Sequence, residues 1–303
     1  MNVMTRMLLA LPLALLMHGA QAQQDFPSAE AAAEALIAAL GSDKADAAKM
    51  AELLGADWQS YIPTEKIERK DVDAFLALYH EQHQIQSDAK DKAHLVVGNT
   101  PWVLPLPLAK GEKGWHFDTH AAAEEIRVRR IGRNEDHAIE AVRAYHDAQT
   151  DYAEVDRDGD GVLEYAQRFV STDGRYDGLH WADEPGVEES PLGPLFGDEL
   201  PDGEWQGYHY RILSSQGPSA PGGAYSYLLG DNMSRGFALV AWPAKYGDSG
   251  VMSFMISHDG EVFEKDLGPE GGTLASTMSS FDPDSSWQEI AEDPGEPAAA
   301  SAE

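Results

Sequence analysis

Apolar side chains recur at three- and four-residue intervals along residues 134–153, where Ala138, Ile139, Val142, Tyr145, Ala148 and Tyr152, with Gln149 among them, share one stripe of a helix. Such a stripe has to be buried. Gly132 precedes it as a breaker, Asn134 is placed to cap it, and Glu135 and Asp136 suit the positive end of the helix dipole. The pattern therefore predicts a helix over 134–153. Shorter amphipathic patterns lie earlier, over 26–40 (Ala35, Leu36, Ala39, Leu40, closed by Gly41), 45–54 (Met50, Leu53, Leu54, closed by Gly55) and 71–82 (Phe75, Leu76, Leu78, Tyr79). Strand-like pieces are expected at 58–62, 94–97, 102–108 and 115–118. Pro101, Pro105 and Pro107 confine the third of these to an edge or a bulged connection.

Beyond the long helix, 161–170 and 208–213 read as extended runs separated by a Pro- and Gly-rich acidic loop at 183–203, a length typical of functional or disordered loops. A meander then follows at 225–229, 236–242, 251–257 and 261–266, with turns at 246–250 and 258–260. Phe237, Leu239 and Ala241 alternate with their neighbours, as Phe254 and Ile256 do with Ser253 and Ser257, so one sheet face is apolar and available to the helix. The expected class is α+β. An N-terminal domain of helices and a curved sheet spans 26–120, and a helix packed on an antiparallel meander spans 129–288. The tail 289–303 is expected to be disordered.

Composition adds a compartment and removes some partners. At 303 residues and 43% hydrophobic content the chain can bury two cores. Its 22 basic against 52 acidic residues give a formal charge of −30, which excludes nucleic acid and anionic membranes and favours divalent cations, cationic peptides or neutral glycans. Residues 1–22 carry Arg6, an apolar run over 7–17 and the Ala20-Gln21-Ala22 ending of a signal peptide, so cleavage after Ala22 and a periplasmic or secreted location are expected. No later apolar run reaches about 18 residues, so no membrane span is expected in the mature form. With no cysteine, there is no disulfide, no thiol catalyst and no lipid-modified N-terminal cysteine.

Asp156, Asp158, Asp160, Gly161 and Glu164 spell D-x-D-G-D-G-x-x-E, the opening of an EF-hand-type loop. Calcium takes six to eight oxygens, and carboxylates at alternate positions before a glycine let a short loop wrap one ion, with the Val162 carbonyl as a further ligand. Gln167 stands where a complete motif has its bidentate Glu, so a truncated calcium site is expected, completed by Asp173 or Asp177; a solvated acidic turn is the alternative. His180 and Trp181, in Gly-Leu-His-Trp, are the candidate ligand-binding pair, with structural packing as the competing role. His80 and His83 stand three apart and miss the His-Glu-x-x-His spacing of zinc proteases. Gly247-Asp248-Ser249-Gly250 matches a serine-protease tetrapeptide but falls where a hairpin turn is expected.

The segments RRIGRNEDHAIEAVRAYHDAQTDYA, DGDGVLEYAQ, GLHW, SPLGPL, YHYRIL, QGPSAPGGA, GFALVAWPAKYGDSGVMSF and EKDLG closely resemble the bacterial family catalogued as domain of unknown function 2950. The resemblance spans most of the mature chain and implies no assigned activity and no catalytic residue. The order of helix then meander, with Asn134-Glu135 near the helix start and Ala148-Gln149 near its end, is also similar to the globular part of type II secretion pseudopilins. Residues 26–118, helices followed by a sheet ending in Gly-Trp-x-Phe-Asp, resemble the cone-shaped fold of nuclear-transport-factor-2-like proteins. Two functions fit these readings. The first is a non-enzymatic binding or envelope-assembly accessory protein whose partner is an envelope protein or glycan; the alternative is a hydrolase of cell-envelope material using His180 and loop carboxylates.

Overall fold

The computed structural model describes residues 23–65, 67–182, 186–193 and 204–291. The signal peptide expected at 1–22, the tail beyond 291, and parts 183–185 and 194–203 of the acidic loop lie outside the described residues. The chain divides into two compact units, Met1–Ile126 and Arg127–Glu303.

In the first unit, α1 (Ala29–Leu40) starts where the Ser28 hydroxyl accepts from the Ala31 N–H, and α2 (Ala47–Leu54) starts where Asp46 accepts from Ala48 and Lys49. Each ends at a glycine with positive φ, Gly41 and Gly55. Residues 58–60 form a 3-10 turn, not the strand expected at 58–62. Helix α3 (Arg69–Glu81) opens with a capping box between Glu68 and Asp71. A five-stranded sheet follows, comprising β1 (His83–Ala89), β2 (Lys92–Val97), β3 (Trp102–Val103), β4 (Leu108–Lys110) and β5 (Trp115–Phe117). Its order is β1-β2-β4-β5, with the short β3 beside β2. Ala32, Leu36, Leu53 and Leu54 of the helices bury against Leu108 and Phe117 of the sheet.

Helix α4 (Thr119–Tyr152) is 34 residues long, and the division between the units falls within it. Its start differs from the expected one. Asp118 accepts from the Ala121 N–H at 2.9 Å, and the helix runs through Gly132, where an added Cβ would meet nothing within 4 Å. Glycine in a helix interior costs about 1 kcal/mol relative to alanine, which this helix absorbs. The polar residues that look like a cap serve tertiary contacts. Asn134 donates to the Ser249 carbonyl at 2.8 Å, Glu135 accepts from the Val251 and Met252 N–H groups, and Arg130 pairs with Asp248.

After α4 the second unit is mostly antiparallel sheet: β6 (Glu204–Trp205), β7 (Tyr208–Leu213), β8 (Ser215–Gln216), β9 (Tyr225–Ser226), β10 (Leu228–Leu229), β11 (Asn232–Met233), β12 (Ala238–Pro243), β13 (Met252–Ser257) and β14 (Val262–Asp266). Helix α5 (Gly271–Thr277), β15 (Ser280–Phe281) and β16 (Gln288–Glu289) complete it. The main sheet has the order β16-β14-β13-β12-β7-β6, every neighbour antiparallel. Glu289 pairs with Phe263 and the Ile290 N–H bonds to the Val262 carbonyl, so residues 289 and 290, expected to be disordered, are instead joined to the sheet. The 161–170 stretch is irregular, with one isolated bridge from Val170 to His180.

The face of α4 formed by Ala138, Val142, Tyr145, Ala148 and Tyr152 is buried in one core with Tyr208, Phe237, Leu239, Phe254 and Ile256 of the sheet side. The α+β class and the packing of the long helix on an antiparallel sheet are thus as the periodicity predicts. Val142 is 0% exposed, and Val142→Asp leaves a charge there without a partner, a cost of about 3–5 kcal/mol. Urea unfolding of the variant is expected to show that loss; an unchanged midpoint would mean the face is not buried.

Candidate functional site

The chain leaves α4 at Tyr152 and makes a loop that carries the D-x-D-G-D-G motif. The loop is closed by one buried side chain. Gln149, in the last turn of the helix and 0% exposed, donates to the Ala166 carbonyl and accepts from the Ala166 N–H, both at 2.8 Å. Its amide also donates to the Tyr145 hydroxyl. A buried amide left unbonded costs about 1–3 kcal/mol, so the chain is obliged to return to the helix at Ala166.

Within the loop, the carboxylates of Asp156, Asp158 and Asp160 each offer an oxygen within 4.8 Å of the others, and all three residues are exposed. Backbone amides hold them. Asp156 accepts from Gly159 and Gly161, Asp158 from Asp160, and Asp160 from Val162. Gly159 and Gly161 both have positive φ, which lets the backbone curl round the carboxylates. The Gly161 N–H, above all, holds the Asp156 carboxyl below its ordinary range. Glu164 behaves oppositely. Burial, reinforced by the charges of Asp158 and Asp160, pushes its carboxyl above the ordinary 4.5. Three carboxylates thus converge at ligand distance, while Glu164, although it feels the charges of Asp158 and Asp160, is not among the grouped oxygens.

Two residues outside the expected set belong to the site. Asn232, in the β10–β11 hairpin, donates to Asp160 at 2.6 Å and anchors the loop to that hairpin. Arg157 lies inside the acidic motif but points away from it. Its guanidinium sits 5.0 Å from the ring centroids of both Tyr152 and Trp181, its Nε donates to the Tyr152 carbonyl, and its side chain is 8% exposed. A basic residue in an acidic motif reads as solvated; aromatic residues at 152 and 181 are the only sequence signal of its cage. Asp173 is exposed and Asp177 bonds to Thr172 of its own turn, so the residues expected to complete the shell are not in the Asp156 group.

Both residues of the His180–Trp181 pair make contacts within the fold. Trp181 is 7% exposed, donates from its indole N–H to the Glu188 carbonyl, and is covered by Arg157. His180 bridges Val170 through its backbone, and its Nδ1 lies 3.3 Å from the Ser190 hydroxyl, which belongs to a buried residue. His83 stacks on Tyr79 at 3.9 Å and His80 lies edge-on to the same ring, so both imidazoles are used by one tyrosine. The Ser249 hydroxyl bonds the Lys245 backbone inside its turn. Among the described residues, no helix is long and apolar enough to cross a membrane.

A family model described as a protein of unknown function, DUF2950, matches residues 23–290. No curated protein matches the chain, and no solved structure does.

The cage predicts a specific sensitivity. Arg157→Ala removes a desolvated cation–π pair and a hydrogen bond and is expected to cost about 2–3 kcal/mol in urea unfolding. Arg157→Lys should recover only part of it, because a compact ammonium cannot keep both ring contacts and the hydrogen bond to the Tyr152 carbonyl.

Proposed function

The chain belongs to the DUF2950 family, and from that premise we propose that it is an exported, non-enzymatic envelope protein whose second unit is stabilised by calcium at Asp156, Asp158, Asp160 and Glu164. The observation that carries the reading is the convergence of three carboxylates on a loop pinned by Gln149 at its return. Asn232 holds the far side of the same loop. The Val162 carbonyl and water would supply the remaining oxygens of a calcium shell. The ion's role is structural: it offsets the burial and repulsion that raise the Glu164 carboxyl and locks the excursion between α4 and the hairpin. A partner in the envelope, a protein segment or a glycan, fits a surface of charge −30 better than nucleic acid or an anionic bilayer does.

Export is supported by the sequence pattern of residues 1–22 and by the start of the family match. The family match starts at residue 23, and the Gln23 side chain donates to the carbonyls of Leu53 and Phe117. The mature protein recovered from a periplasmic fraction is expected to start at Gln23 on N-terminal sequencing. An uncleaved chain in the cytoplasm would contradict the compartment.

The calcium reading is tested by thermal unfolding with calcium, magnesium or chelator. Calcium at a hundredfold excess over Kd is expected to add about 2.7 kcal/mol. Magnesium should add much less, since it demands a tight octahedron and sheds water reluctantly. Asp158→Asn combined with Asp160→Asn should abolish the increment; a wild type with no calcium-specific rise, or a double variant that keeps it, refutes the site. The pH dependence has a definite sign. Because the folded-state value of Glu164 lies above 4.5, this carboxyl in the ion-free protein binds more protons folded than unfolded just above pH 4.5, so its contribution to stability falls as pH rises through that window. Calcium requires the ionised carboxylate, so the calcium increment grows over the same window.

A further inference from the structure

Strand β1 (His83–Ala89) is the longest strand of the first unit and forms one edge of its sheet. Among the described residues, the other strands that end a sheet are short or covered. Strands β3, β6, β9, β15 and β16 have two residues each, and the free side of β5 is bridged by Phe26, whose N–H and C=O both bond to Trp115. Proteins commonly blunt long edges with lysine, proline or a bulge, because an open row of backbone groups invites another strand. Residues 83–87, His-Gln-Ile-Gln-Ser, carry none of these. The one irregularity, between Ser87 and Ala89, lies at the far end.

The register identifies which groups are open. Gly98 donates to the Gln82 carbonyl, and Leu104 donates to the carbonyl of Leu95, which is paired with Ile85. The ladder bonds between β1 and β2 therefore fall at Gln82, Gln84 and Gln86, and the N–H and C=O groups of His83, Ile85 and Ser87 face outward. Among the described residues these outward groups have no partner. The strand is exposed on both sides except at Ile85, which packs half-buried on the core.

We propose that this edge pairs with the same edge of a second copy of the chain, antiparallel about a two-fold axis at Ile85. In that register Ile85 faces Ile85 of the second copy and His83 faces its Ser87, giving three hydrogen-bonded pairs and about six new backbone bonds. Gln84 faces Gln86 of the second copy on the exposed side, and the two-fold repeats that amide pair. Charge selects this occupant. In a chain of −30 most surfaces repel a copy of themselves, but residues 83–87 contain no carboxylate, and the nearest, Asp88, is hydrogen-bonded to His94. The strand escapes prediction from sequence for the same reason that it suits this role: its exposed face is amide rather than apolar or charged. The pairing is independent of any ion in the second unit.

The absence of native cysteine permits a register-specific test. Gln84→Cys and Gln86→Cys are made as separate proteins and oxidised alone and mixed. In the proposed ladder these positions form a non-hydrogen-bonded pair with Cα atoms about 4.5 Å apart, close enough for a disulfide. The mixture is expected to yield the disulfide-linked dimer in clear excess over either protein alone, and sedimentation equilibrium of the wild type should show a monomer–dimer equilibrium. Gln84→Lys with Gln86→Lys places like charges opposite each other twice and should weaken the dimer about tenfold while circular dichroism stays unchanged. A wild type that remains monomeric at every concentration, equal cross-linking in all three samples, or a dimer untouched by the lysines overturns the proposal.

Discussion

Gln149 is the point on which the second unit depends. It is a fully buried amide in the last turn of a long helix, and its satisfaction requires both backbone groups of Ala166, 17 residues further on. An amide in that position cannot be left without partners, so the helix end, the acidic excursion and the start of the following segment are fixed together. Tyr145, hydrogen-bonded to the same amide and to the Ala238 carbonyl, carries the constraint into the central strand β12. The apolar stripe supplies the burial energy, and the amide determines the geometry.

The same arrangement explains how a run of carboxylates can sit in so little space. Backbone N–H groups of Gly159, Gly161, Asp160 and Val162 face the aspartates, and Arg157 leaves the motif to fill an aromatic cage beneath it. The aspartates are therefore met by backbone amides, while the loop's own arginine bonds elsewhere. Glu164, with its carboxyl raised by burial and by its neighbours, is where the residual repulsion is felt. The divalent cation proposed for this loop would have a mechanical rather than a catalytic function.

What could be read from the sequence was whatever expressed itself as periodicity. The stripe of α4, the three earlier helices and the strands β12, β13 and β14 all alternate or recur with the period of their element, and the structure has them. The start of α4 was hidden because Asn134 and Glu135, which suit a helix cap, bond instead to the turn at 249–252, a contact more than a hundred residues away. Strand β1 was hidden because only Ile85 faces a core, so its pattern is polar on both sides. Helix α5 opens on Gly271 and Gly272, which local propensity reads as a turn. In the site, the aspartates and glycines were legible because their spacing is itself the chemistry. Arg157 and Asn232 were not, since each acts through a partner that only the fold brings near.

Native-state hydrogen exchange at Ala166 tests the central claim most directly. Its N–H is bonded to a buried side chain in an otherwise irregular segment, where amides ordinarily exchange by local opening. If Gln149 ties loop to helix as described, Ala166 exchanges only with global unfolding, at the same free energy as the amides of Val142 and Tyr145. An Ala166 amide that exchanges by local opening while the helix stays protected would contradict the account.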